Sequence, residues 1–204
     1  MPSHVHRVYR RVRYGQPVVV VSGLPRSGTS MAMKMLEAGG LTIVSDGVRS
    51  ADVDNPKGYY EDERVKDLHH MDDKTWLRDA RGKAIKIISW LLKELPEENN
   101  YKVLFMRRHL EEVLASQTKM LERRGEEAET PDDRMLEIYK SHLWRVDYLF
   151  KHGPHLEALD LDYKAVLESP REYGERIRDF LEIDLDVAKM EGVVDARLYR
   201  NRAS

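Results

Sequence analysis

Two hydrophobic periods alternate along the chain. Short apolar or β-branched runs at 18–21 (VVVV), 41–44, 84–88 (AIKII), 101–106 (YKVLFM) and 155–161 predict buried strands. Between them, apolar residues three and four apart predict helices. Met31, Met35 and Ala38 place one at 29–38, stopped by Gly39-Gly40. Leu110, Val113, Leu114, Gln117 and Leu121 mark another at 109–124. Leu136, Ile138, Tyr139, Leu143 and Val146 supply the core face of a long one at 132–151. Helical character returns at 61–71, 89–95, 163–168 and 171–181, and a final helix falls within 186–202 ahead of the basic end RLYRNR. Near the N-terminus, Val5, Val8, Tyr9 and Val12 share one helical face among Arg7, Arg10, Arg11 and Arg13. That pattern reads as a short basic helix packed by its apolar stripe, or as a solvated arm.

Strands alternating with helices predict an α/β protein: a three-layer P-loop-type fold around a central, mostly parallel sheet of about five strands. The expectation is a single domain over 1–204, with 1–15 as a basic arm. Residues 45–60 lack periodicity and hold the turn signals Asp46-Gly47 and Asn55-Pro56-Lys57-Gly58. A loop of that length in a compact domain is usually functional.

Composition narrows the partners. Net charge is -2, with 34% charged residues, so no global field draws the chain to nucleic acid. No apolar run is long enough for a bilayer, so no membrane association is expected. There is no Cys, which removes disulfide and thiol chemistry. No apolar leader segment is visible, and a cytoplasmic location is the default.

The stretch richest in chemistry is 18–38. An apolar strand runs into a turn bounded by Gly23 and Gly28, and a helix follows. Backbone N–H groups and the positive end of a helix make such a turn a seat for phosphate. The two glycines are spaced as in a Walker A loop, but Thr29 follows Gly28 where an ATPase needs Lys. The turn's cation, Arg26, precedes the second glycine instead, and Thr29 and Ser30 add hydroxyl donors.

Pro25-Arg26-Ser27-Gly28-Thr29-Ser30 resembles the 5′-phosphosulfate loop of the sulfotransferases, Pro-Lys/Arg-Ser-Gly-Thr-Thr/Ser. A second stretch, from Arg108 to Ser116, resembles that family's 3′-phosphate motif, Arg-Asn-Pro-x-Asp-Val-x-x-Ser. Arg108, Val113 and Ser116 fall in register, Glu112 replaces Asp, and His109-Leu110 replaces Asn-Pro. On the residues alone, Arg108 also has a surface partner available in Glu111 or Glu112. A third likeness, Asp162 to Val166 with Ser169-Pro170 and Phe180-Leu181, concerns fold more than chemistry.

The resemblance implies a transferase that moves a sulfonate group from 3′-phosphoadenosine 5′-phosphosulfate (PAPS) to a hydroxyl or amine of a small-molecule or saccharide acceptor. It implies a cofactor site of Arg26, Ser27, Gly28, Thr29, Ser30, Arg108 and Ser116. No metal is expected, and no His/Asp cluster has ligand spacing. Lys86, within the third strand, either snorkels to solvent or points at the sulfonate. An acceptor must lose a proton, so a base is expected. Tyr59-Tyr60-Glu61 resembles the Tyr-Phe-Glu of the heparan N-sulfotransferases, which makes Glu61 the first candidate, with His69 and His70 further along the same helix as alternatives. Tyr59, Tyr60 and Trp76 either line an acceptor cleft or pack the core. Arg197, Tyr199, Arg200 and Arg202 stand where the family closes its cofactor site. The rival readings are a P-loop small-molecule kinase using ATP and a nucleotide-binding protein without activity.

Overall fold

The computed structural model describes residues 4–46, 60–126 and 130–195. Five parallel strands form one sheet: β1 (Val18–Gly23), β2 (Ile43–Val44), β3 (Ala84–Lys86), β4 (Tyr101–Arg107) and β5 (Leu156–Asp162), in spatial order β2-β3-β1-β4-β5. The helices are α1 (His4–Tyr14), α2 (Thr29–Ala38), α3 (Glu63–Lys66), α4 (Leu110–Arg124), α5 (Asp132–His152), α6 (Tyr163–Glu168), α7 (Pro170–Leu181) and α8 (Val187–Gly192). Residues Thr75–Ala80 and Ser89–Glu94 form 3-10 helices. The expected three-layer α/β fold is therefore present, with every strand pair parallel.

The layers follow from the strands' two-residue period. Val19, Val21, Ala84, Leu104 and Met106 point to one face and pack with α2, α7 and α8. Val18, Val20, Ile85, Val103 and Phe105 point to the other and pack with α5 and the two 3-10 helices. Val18 to Val21 are fully buried on both faces. Burying each is worth roughly 1.5–2 kcal/mol. The chain leaves β1 toward the β2 edge and leaves β4 toward the β5 edge. The crevice between the carboxyl ends of β1 and β4 is thus the point where the winding reverses, and such a point is where open α/β sheets bind ligands.

Several expected elements are corrected. The second strand is a two-residue, half-buried edge rather than a buried run over 41–44. The third ends at Lys86; Ile87 still donates its N–H to Val21 O, but Ile88 is exposed. The helix expected over 61–71 is one turn. Asp62 is its extended N-cap, its carboxylate accepting from Arg64 N, so Glu61 lies before the helix and His69 and His70 lie after it. Ile138 on α5 faces solvent, and His142 takes a core position instead. Residues 196–204, with the basic tail, lie outside the described residues.

The first helix follows neither expected reading, being docked but not by its apolar stripe. Its stripe Val5, Val8, Tyr9 and Val12 is exposed, and Arg10 is the residue it buries. The Arg10 guanidinium donates to Asn100 Oδ1 and to the carbonyls of Glu97 and Asn99. Polar anchoring therefore replaces apolar packing. Arg10→Ala is expected to cost about 2 kcal/mol and to release α1. Hydrogen exchange should show the α1 amides at unprotected rates with β1 and β4 unchanged.

Candidate active site

The turn between β1 and α2 is shaped by its glycines. Gly28 has φ 101, a left-handed conformation, and a Cβ there would lie 2.4 Å from Tyr163 Cδ2. At Gly23 a Cβ would meet Ser27 Oγ at 2.4 Å and Met106 O at 2.8 Å. Both positions exclude any larger residue. Arg26 itself has φ 68, a strained value for a side chain of its size. No side chain caps the start of α2, and its first turn holds no acidic residue. Ser27 is buried, and its Oγ makes no hydrogen bond among the described residues. An uncapped helix start, a buried unpaired hydroxyl and a turn with no room for a Cβ are features of an anion seat.

The second motif folds back onto this turn. Arg108 follows the carboxyl end of β4, and Ser116 lies two turns into α4. Arg108 Nη1 donates to Arg26 O at 3.1 Å, and Arg26 Nε donates to Ser116 Oγ at 3.1 Å. Residues some 80 to 90 positions apart thus meet at Arg26. The Arg108 guanidinium is oriented from two further sides. Glu112 Oε2 accepts from its Nε at 2.9 Å, with both side chains buried, and the Tyr163 ring lies 4.6 Å beneath it. The ion pair with Glu112 exists, but it is an internal strut rather than a surface contact. Its Coulomb energy has to offset the desolvation of two charges.

Glu61 and Lys86 meet at the same sheet edge. Lys86 stands at the end of β3, in register with Val21, and its Nζ donates to Glu61 Oε1 at 3.2 Å. Lys86 therefore neither snorkels free nor sits mid-strand. Glu61 is held from behind, where its carbonyl accepts from Asp46 N at 3.1 Å. Tyr60 precedes it with φ 52, and its hydroxyl donates to Glu37 Oε2 at 2.6 Å. Burial, then the Glu37 carboxylate, pushes the Tyr60 phenol well above its ordinary range. Tyr60 packs on the α2 face of the core and Trp76 on the other, where Arg64 covers it. Tyr59 lies outside the described residues. His69 and His70 lie side by side in an exposed turn, their ring centroids 3.7 Å apart and tilted by 41°.

Tyr163 belongs to the stretch whose likeness concerns fold, and the pairing of His142 with Ser89 has no signature in the sequence. Tyr163 opens α6 and lies directly under Gly28. His142 and Ser89, 53 residues apart, hydrogen-bond at 2.8 Å while His142 stacks on Trp90 at 3.7 Å. Trp90 packs on the same cluster as Leu24 of the turn, so this pair braces α5 against the site. Burial, with Arg145 adding to it, pushes the His142 imidazole down to about 4. The folded-state value lies below the unfolded one, so the neutral ring's contribution is complete above about pH 6.5 and is lost as pH falls toward 4. The melting temperature should drop across that window. In His142→Gln the drop should be shallower, which separates the imidazole from the carboxylates that titrate nearby.

No protein-family model and no curated protein matches this sequence. Solved structures do resemble it. The sulfotransferase domain from the Synechococcus PCC 7002 olefin synthase superposes with a TM-score of 0.50 at 15% identity, covering 92% of this chain and 83% of that one. The sulfotransferase domain from the curacin biosynthetic pathway gives 0.49 at 13% identity, over 86% and 76%. A sugar kinase from Janibacter sp. HTCC2649 gives 0.42 at 18% identity, over 88% and 99%. At such identities the likeness is one of fold, and the first of the three carries it: this chain is built on the fold of a bacterial sulfotransferase domain.

Proposed function

We propose that the protein is a PAPS-dependent sulfotransferase acting on a hydroxyl or amine of a small-molecule or saccharide acceptor. The observation that supports this best is the convergence of Arg26, Arg108 and Ser116 on one glycine turn. A nucleotide with phosphates at both its 3′ and 5′ positions needs two linked anion seats, and the two motifs supply them side by side. Ser27 to Ser30 and the Arg26 guanidinium take the 5′ side; Arg108 and Ser116 take the 3′-phosphate. When bound, PAPS supplies the sulfonate and a nucleotide leaving group. The turn's N–H groups and Arg26 stabilise the charge that develops on that leaving side. Arginine suits the 3′ seat because its planar fork binds phosphate in two places, and Glu112 fixes the plane of that fork.

Glu61 is the proposed base, with Lys86 placing its carboxylate and standing beside the reacting group. It takes the acceptor's proton as the new bond forms. His69 is placed less well for that task, lying against His70 in an exposed turn beyond α3.

Calorimetry tests the donor. Adenosine 3′,5′-bisphosphate should bind without added metal, at least about tenfold tighter than Mg-ATP. The reverse preference would favour a small-molecule kinase. Transfer or slow hydrolysis of labelled sulfonate should vanish in Arg26→Ala, whereas binding without turnover across a broad acceptor panel would mark a nucleotide-binding protein.

A further inference from the structure

The amino edge of the sheet, opposite the glycine turn, holds a second cavity of about 420 Å³. Its charged walls are Arg7, Arg10 and Arg11 of α1, Lys102 of β4, and the carboxylates Glu157 and Glu182. Lys102, Arg10 and the adjoining His155 are each at least nine-tenths buried, and the transfer chemistry uses none of them. Lys102 stands in an inner strand where an apolar residue would pack at no electrostatic cost. Its Nζ reaches Phe180 O at 2.7 Å, Leu181 O at 3.3 Å and Glu182 Oε1 at 3.2 Å, which engages all three of its N–H groups. Arg7 and Arg11 lie 3.5 and 3.6 Å from Glu157 and Glu182, long for ion pairs, and both arginine side chains are exposed. The four cations outnumber the two carboxylates, and burial lowers the His155 imidazole so that it adds no charge at neutral pH. Its Nδ1 makes no hydrogen bond among the described residues. Arg10 and Lys102 are buried with acceptors of their own, whereas Arg7 and Arg11 are exposed, so the excess of positive charge at the mouth of the recess attracts an anion rather than a cation. The remaining wall is apolar, from Val8, Leu41 and Ile183.

We propose that this cavity binds a small organic oxyanion, a carboxylate or a phosphate or sulfate monoester on an apolar body, between Arg7 and Arg11, with the charge of Lys102 adding attraction but no hydrogen bond. A volume of this size suits one small molecule. Lys102 and Arg108 are separated along β4 by roughly 20 Å at about 3.3 Å per residue. The ligand is therefore a second molecule and not part of a nucleotide seated at the turn.

The test is calorimetry of phenyl phosphate with the full chain carrying Arg26→Ala, which weakens the glycine turn as a competing seat. Saturable binding is expected with a Kd of about 1 mM or tighter, and benzyl alcohol should not bind. Adding Arg7→Gln and Arg11→Gln should weaken it by about tenfold or more, since both arginines are partly exposed and Arg10 keeps α1 docked. In the Arg26→Ala protein the imidazole resonances of His155, identified by their loss in His155→Gln, should move with saturation. Absence of binding up to about 10 mM, an affinity indifferent to the paired Gln substitutions, or an unmoved His155 signal overturns the proposal. None of these outcomes bears on whether adenosine 3′,5′-bisphosphate binds the native turn.

Discussion

Arg108→Met is expected to weaken adenosine 3′,5′-bisphosphate binding by about a hundredfold and to destabilise the fold by about 3 kcal/mol. The two effects have different origins. The affinity loss follows from removing the guanidinium that the 3′-phosphate needs. The stability loss follows from leaving Glu112 buried, at 5% exposure, without its partner. A second substitution separates them. Arg108→Met with Glu112→Leu replaces the buried pair by two apolar side chains, an exchange that is often neutral. Denaturant unfolding should show stability recovered in the double variant, while calorimetry shows binding still lost. Recovery of both would mean that Arg108 acts through the fold and touches no phosphate.

Gly28→Ala is the second large effect. The new methyl must enter the space of Tyr163, at 2.4 and 2.8 Å from two ring carbons, while the backbone stays at φ 101. The clash displaces Tyr163, and with it the ring under Arg108. A loss of roughly 2–4 kcal/mol is expected, with donor binding down by about a hundredfold. Adding Tyr163→Ala makes room for the methyl but leaves the backbone penalty of about 1–2 kcal/mol. The double variant should therefore lose less stability than the sum of the two single substitutions and still bind poorly. If Gly28→Ala alone matches the native protein in melting and binding, the turn is not the rigid seat described.

Local chemistry made much of the fold legible. The β-branched run at Val18 and the Met31, Met35, Ala38 spacing each report a single element, and both elements appear where expected. Spacing names the residues that share a face but not which way the face points. That is why the valine stripe of α1 reads as core and lies outside, docked by Arg10. Asp62 shows the same limit at finer scale. As an N-cap it starts the helix after Glu61, and a count of apolar residues does not see caps. The residues proposed for the donor were legible as two motifs in chain order, but their meeting at Arg26 is a tertiary event. Trp90 and His142 had no signal, because their stacking joins a 3-10 helix to a helix some 50 residues later. Glu61 was legible from its neighbours, whereas its pairing with Lys86 required the sheet order that sets β3 beside β1.

The central claim is that one nucleotide bridges both motifs, and a crystal structure with adenosine 3′,5′-bisphosphate addresses it directly. The expected electron density places the 5′-phosphate on the N–H groups of Ser27 to Thr29 and the 3′-phosphate against Arg108 and Ser116, with Glu61 facing the position of the missing sulfonate. A nucleotide seated elsewhere, or one whose 3′-phosphate lies in solvent while Arg108 stays engaged only with Glu112 and Arg26, contradicts it.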